Sequence, residues 1–242
     1  MIQVYSDLEE MSRAAAALFV DCARRAVRAR GRFSVALSGG STPQHCYELL
    51  AAPPLSEQVP WESVHVFWGD ERCVPPTDSR SNLRMARQSL LNHVPVPGGA
   101  IHPMECAADP QGAADAYEQT LREHFGTAPP RFDLVLLGLG ADGHTASLFP
   151  GGEALGETER WVVPAQLAGQ DFRRLTLTLP LLNQTHLALF LVAGAEKASI
   201  LARILEPPAA SPALPAERIA PAGGEVLWLV DQAAFDGLKD RG

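Results

Sequence analysis

The chain of 242 residues is short of cysteine and carries no surplus of positive charge, and each shortage removes a class of function. Its four cysteines, at 22, 46, 73 and 106, form no CxxC pair and have no histidine partner at zinc spacing. They read as reduced, mostly buried small apolar side chains, so neither a disulfide nor a metal site is expected. Lys and Arg number 20 against 28 Asp and Glu, a formal charge of -8, and no basic run interrupts the sequence. Nucleic acid and anionic membranes are bound by releasing counterions to a basic surface, so neither is an expected partner. An anionic small molecule would need a locally positive pocket. No stretch approaches the roughly 18 apolar residues of a membrane span, and the start, MIQVYSDLEEM, lacks the basic and apolar regions of a signal peptide; the cytoplasm is the expected location. With no Ser/Gly-rich or charged linker and no internal repeat, residues 1–242 read as one domain, long enough to bury a full core. Nothing here speaks to oligomeric state, and a monomer suffices.

What is present is an alternation. Apolar strand-like runs stand at FSVAL (33–37), VHVFWG (64–69), FDLVLLGLG (132–140), LALFLVAG (187–194) and VLWLV (226–230). Between them lie LEEMSRAAAALFVDCARRAVRAR, TPQHCYELLA, SNLRMARQSLLN, QGAADAYEQTLREHF and EKASILARILE, with apolar residues at helical spacing. Such βαβ units build an α/β fold of three layers, a mostly parallel sheet with helices on both faces. RRLTLTLPLL (173–182) alternates strictly enough to be a strand of different character, and the Pro/Ala-rich segment 206–224 reads as a surface loop before the last strand.

In open α/β sheets ligands sit outside the carboxyl ends of the strands, so the segments leaving those ends carry the function. After FSVAL the chain reads SGGSTP and enters a helix, with Pro43 suited to the first helical position and Thr42 or Ser41 to its cap. Backbone N–H groups at Gly39 and Gly40, with hydroxyls of Ser38, Ser41 and Thr42, make an anion cradle at that helix end; a tight turn before a capped helix would account for the same residues. Ala36 to Gly40 also fits a nucleophile elbow, but His186, its only offered partner, opens an apolar run instead of leaving a strand. After VHVFWG come Asp70, Glu71 and Arg72, three charges that are costly to bury unless paired with one another or with a ligand. The third exit, Gly138-x-Gly140-x-x-Gly143, matches the dinucleotide fingerprint formally, yet Pro150, Gly151 and Gly152 follow where a long helix should run. Its glycines are better explained as backbone freedom for a turn presenting Asp142 and His144 to one cleft, His144 as an oriented base.

Read together, GLGADGHTASLFPG, the preceding SGGSTP and GDERCVPPTDSRSN, and the later RRLTLTLPLLN and VAGAEKA resemble, in order and over nearly the whole chain, the 6-phosphogluconolactonases. That family shares its Rossmann-like fold with glucosamine-6-phosphate deaminases and is related to ribose-5-phosphate isomerases. The deaminases carry Asn-Glu-Pro after the Asp-Gly-His turn and Asp-Glu-Tyr at the second exit, whereas this chain has Leu148-Phe149-Pro150 and Asp70-Glu71-Arg72; both differences favour the lactonases.

The resemblance implies hydrolysis of 6-phospho-D-glucono-1,5-lactone in the oxidative pentose phosphate pathway, with that sugar-phosphate lactone as the partner and no cofactor or metal. It assigns His144 as general base for water, Asp142 as its orienting carboxylate and Arg72 as stabiliser of the oxyanion. Phosphate is expected on Ser38, Gly39, Gly40, Ser41 and Thr42, with Asp70 also at the substrate and Lys197 and Arg174 adding charge; Arg173, adjacent, is an alternative to Arg174. A lysine near a helix N-terminus opposes the helix dipole, which suggests an anion beside Lys197. Asn82 either contacts sugar hydroxyls or caps its helix, and residues 206–224 either close over the site or do not. A sugar-phosphate sensor that had lost its chemistry would show damage at Asp142, His144 or Arg72, and all three are intact.

Overall fold

The computed structural model describes residues 1–106, 109–126, 129–207 and 211–236. Nine strands are β1 (Ile2–Tyr5), β2 (Phe33–Leu37), β3 (Val64–Trp68), β4 (Asp70–Arg72), β5 (Leu134–Leu137), β6 (Val162–Ala165), β7 (Arg174–Leu177), β8 (Leu187–Val192) and β9 (Glu225–Asp231). The α-helices among the described residues are α1 (Leu8–Arg30), α2 (Ser41–Leu50), α3 (Asn82–Ala86), α4 (Pro110–Phe125), α5 (Leu179–Leu182), α6 (Ala198–Leu205) and α7 (Gln232–Phe235). Six strands form one sheet in the order β1-β9-β8-β5-β2-β3, every neighbouring pair parallel. This is the α/β sheet that the alternation of runs predicts.

Residue parity shows how the sheet is covered. Along β2, Phe33 packs edge-on against Phe19 of α1 at 5.2 Å, while Ser34 Oγ lies 2.7 Å from His124 Nε2 of α4. Successive side chains of a strand point to opposite faces, so α1 and α4 cover opposite sides. Every residue of β2, β5 and β8 is buried, as expected of central parallel strands. Helix α1 is capped at both ends: the Asp7 side chain accepts the Glu10 N–H, and Gly31 closes it at φ 74°. Its core stripe runs Met11, Ala15, Ala16, Phe19, Val20, Ala23 and Ala26.

Several expectations need correction. Asp70–Arg72, three charges at a strand exit in the sequence, form strand β4, which pairs with β7, and β7 with β6, in a second, antiparallel sheet. The alternating run at 173–182 keeps strand geometry only to Leu177; Pro180 lies in helix α5. Strands β1 and β6 have no counterpart in the sequence reading. Cys73 and Cys106 are joined as a disulfide, with Cα atoms 4.7 Å apart, so only Cys22 and Cys46 are free and buried as expected. The segment 206–224 is not simply a surface loop, because Leu214, Pro215, Ala216 and Ile219 are buried; residues 208–210 of it lie outside the described residues. No helix among the described residues is long and apolar enough to cross a membrane.

On the α4 side of β3 the rings of His102 and His124 meet Phe67, and that of His65 meets His124. Burial first, and then neighbouring charge or imidazole, holds all three histidines below the usual imidazole range, His124 down to about 3. An unfolded chain takes up these protons near the ordinary value of about 6.5, so the stability they confer is complete above that pH and is lost as pH falls toward the folded values. Thermal unfolding followed downward from about pH 7.5 to about pH 5 is expected to show a falling midpoint, and His124→Gln a shallower fall. An equal slope in the variant would contradict this assignment.

Candidate active site

Strands β8, β5, β2 and β3 are consecutive in the sheet, so the segments leaving their carboxyl ends are neighbours. Two contacts fix their spacing. The Gly69 N–H, just past β3, donates to Leu37 O at 2.8 Å, and a Cβ on Gly138, past β5, would sit 3.8 Å from Ser38 Oγ, past β2.

The β2 exit departs from its expected capping. Helix α2 begins at Ser41, its cap position is Gly40 at φ 111°, and no side chain caps it. The first-turn N–H groups therefore lack intrahelical partners, with no acidic residue beside them. The N–H of Ser38 is not among the free donors, since it donates to Tyr47 Oη (3.0 Å), whose hydroxyl donates back to Ser38 O. Gly39 is needed for close approach: a Cβ there would stand 1.9 Å from Asn82 Oδ1.

At the β5 exit, Asp142 Oδ1 accepts the His144 N–H at 3.0 Å and lies 2.5 Å from His144 Nδ1. Burial raises the Asp142 pKa, but the backbone N–H, the ring and the charge of His144 outweigh it and hold this carboxyl below its ordinary range. The imidazole is half-buried and rests on the Phe149 ring at 4.8 Å. It also lies over Gly140, where a Cβ would come within 2.1 Å of Nδ1. Gly143, at φ 85°, is covered by Leu214, and its carbonyl accepts the Ala216 N–H at 3.1 Å, so the buried part of 206–224 braces this turn from behind.

The β3 exit contains the most heavily satisfied charges. Buried Asp70 accepts Ser147 Oγ–H at 2.6 Å and Asn82 Nδ2–H at 3.3 Å, and faces Arg174 Nη1 at 3.7 Å. Buried Glu71 accepts the N–H groups of Arg72, Asn82 and Leu83 and the Ser81 hydroxyl, which fastens α3 to β4. Asp70 and Arg174, expected at the substrate, are thus engaged with each other inside the protein. Arg174 also stands over the Phe149 ring, 5.5 Å from its centroid. Asn82 neither caps α3, which Ser81 does, nor is exposed to a sugar; it joins Asp70 to Gly39. Arg72 donates from Nη1 to Arg80 O, while its buried Nε has no partner among the described residues. Lys197, past β8, is half-buried at the start of α6 and has no ion pair among the described residues.

The strand exits bring the 38–42 turn, the Asp142–His144 turn and Lys197 to one end of the sheet. No hydrogen bond or ion pair among the described residues joins Arg72 to His144. Exposed Arg173 instead lines a cavity of about 640 Å³ with Ser147, Phe149, Arg160 and Gln166; neither His144 nor residues 38–42 line it, so this cavity adjoins the site without being it. Ser147 and Tyr47, which position the site, have no signal in the sequence, because only the fold shows what each one touches.

Residues 6–228 match the family model described as glucosamine-6-phosphate isomerases/6-phosphogluconolactonase. A protein of Synechocystis sp. named 6-phosphogluconolactonase is 47% identical over 219 residues, covering 89% of this chain and 88% of that one. The solved structure of 6-phosphogluconolactonase from Trypanosoma cruzi superposes with a TM-score of 0.86 at 30% identity, covering 98% of this chain and 96% of that one. A monomeric glucosamine-6-phosphate deaminase, at 21% identity, shares the fold with a TM-score of 0.80 over 98% of this chain and 99% of its own. The chain belongs to the glucosamine-6-phosphate isomerase/6-phosphogluconolactonase family.

Proposed function

We propose that the chain is a lactone hydrolase that converts 6-phospho-D-glucono-1,5-lactone to 6-phospho-D-gluconate, a step of the oxidative pentose phosphate pathway. The observation that carries this reading is the Asp142–His144 pair, 2.5 Å apart, beside an uncapped helix N-terminus at the same end of the sheet. The name 6-phosphogluconolactonase borne by relatives across most of the chain supports it. So does Phe149, which packs on His144 where the deaminase pattern has an acid.

Asp142 engages Nδ1, which leaves His144 Nε2 to take a proton from water as its oxygen bonds to C1. The carbonyl oxygen gathers negative charge, the C1–O5 bond breaks, and the imidazolium returns the proton to O5. Ionised Asp142 favours that imidazolium, as the carboxylate of a hydrolase triad does. The lactone is already electrophilic, so the scheme calls for neither a metal nor a covalent nucleophile. Arg72 is the oxyanion stabiliser in this reading, through the fixed positive charge of its guanidinium. The phosphate is held by the N–H groups of Gly39, Gly40, Ser41 and Thr42, by the hydroxyls of that turn and by Lys197. The strands bearing the cradle and Lys197 flank β5, so a phosphate between them lies beside the turn carrying His144.

A stopped-flow assay of acid release from freshly made lactone is expected to exceed spontaneous hydrolysis by orders of magnitude; release no faster than in buffer would refute the reading. His144→Ala should lower kcat about 10²- to 10⁴-fold with little change in KM, whereas Lys197→Ala should chiefly raise KM. Equal losses of binding in the two variants would contradict this division of labour. Gly140→Ala, whose methyl would take the space of the imidazole, should reproduce the kcat loss of His144→Ala in a protein that still folds, as circular dichroism can verify.

A further inference from the structure

The three histidines beneath α4 take no part in the reaction described above. They come from segments far apart in sequence: His65 from β3, His102 from the segment that follows the bridge between Ile101 and Val66, and His124 from the last turn of α4. One ring nitrogen from each lies within 4.8 Å of the other two, and His65 Nδ1 is 3.4 Å from His102 Nε2. A tetrahedral ion with metal–nitrogen bonds of about 2.0–2.1 Å separates its ligand atoms by roughly 3.3–3.4 Å, so this pair already spans one edge of such a polyhedron. The histidine backbones are fixed. His102 N–H donates to Val66 O at 2.8 Å, its ring stacks on buried Phe67 at 4.4 Å, and Ser34 Oγ steadies the His124 ring at 2.7 Å.

We propose that His65, His102 and His124 form a binding site for a divalent cation of the zinc type, separate from the hydrolytic site. His65 lies near the amino end of β3, five residues before Asp70, whereas the candidate active site lies beyond the carboxyl ends of the strands. All three imidazoles are half-buried, so an ion reaches them from solvent yet meets a partly apolar wall. Burial keeps them neutral, the form that offers a lone pair to a metal. The donor set is nitrogen alone, and Arg32 adds positive charge beside His65 and His124. Ca²⁺ and Mg²⁺, which require charged or carbonyl oxygens, are excluded on that ground, while borderline ions that favour imidazole are accepted. Three protein ligands leave one tetrahedral position open to water or to an exogenous anion.

The test uses the full chain, stripped with a chelator and titrated with Zn²⁺ by calorimetry and with Co²⁺ by visible absorption. One ion per chain is expected for each metal, with a tetrahedral Co²⁺ band that Zn²⁺ abolishes and no heat from Mg²⁺. His102→Gln and His124→Gln should each weaken Zn²⁺ binding at least about tenfold to a hundredfold, the range that loss of even a supporting partner produces, while lactone hydrolysis at normal rate shows that the variants fold. His45→Gln, whose imidazole pairs with Glu9 elsewhere, should bind as the native chain does. Absence of one-to-one binding, or undiminished binding in both cluster variants, would overturn the proposal, whether or not the chain proves to be a lactone hydrolase.

Discussion

The carboxylate of Asp70 is the point at which the strand exits are tied together. It stands buried between the Ser147 hydroxyl, the Asn82 amide and the Arg174 guanidinium. Each partner belongs to a different segment: Ser147 to the stretch after β5, Asn82 to α3, and Arg174 to β7 of the second sheet. A buried carboxylate is tolerable only when its lone pairs are used and its charge is balanced, so losing one partner would leave the others uncompensated. From this centre the contacts run outward to both halves of the candidate site. Arg174 stacks over Phe149, which supports the His144 ring, while Asn82 presses on Gly39 in the anion cradle.

This arrangement explains why the small residues stand where they do. Gly39 and Gly140 are not merely hinges; each vacates the space that a partner side chain fills, Asn82 in one case and the His144 imidazole in the other. The backbone of the cradle is fixed a second time by Tyr47, whose hydroxyl bonds both the N–H and the carbonyl of Ser38. The Asp142–His144 turn is fixed from behind by Leu214 and Ala216. The groups assigned to chemistry are therefore held by a polar network on one side and apolar packing on the other, which is what a reaction relying on positioning requires.

Much of the fold was legible because the central strands are buried on both faces and so read as unbroken apolar runs. Strand β1, IQVY, was not, since it is a partly exposed edge strand of four residues without such a run, and β6 contains Pro164. The charges at Asp70, Glu71 and Arg72 announced that something must pair with them, but their partners come from Ser147, Asn82, Arg174 and the α3 backbone, which no local pattern connects. The same limit hid the Cys73–Cys106 bond and the His65–His102–His124 cluster, whose members are far apart in sequence and meet only in the fold. The Asp-Gly-His turn was readable because its chemistry and its backbone demands fall within three consecutive residues.

The central claim is that one ligand spans the cradle and the imidazole. A crystal structure with bound 6-phosphogluconate tests it most directly. The account predicts phosphate oxygens on the N–H groups of residues 39–42 and on Lys197 Nζ, with the C1 carboxylate within about 2.6–3.2 Å of His144 Nε2. A product lodged instead in the cavity between Arg160 and Arg173, with His144 unoccupied, would contradict it.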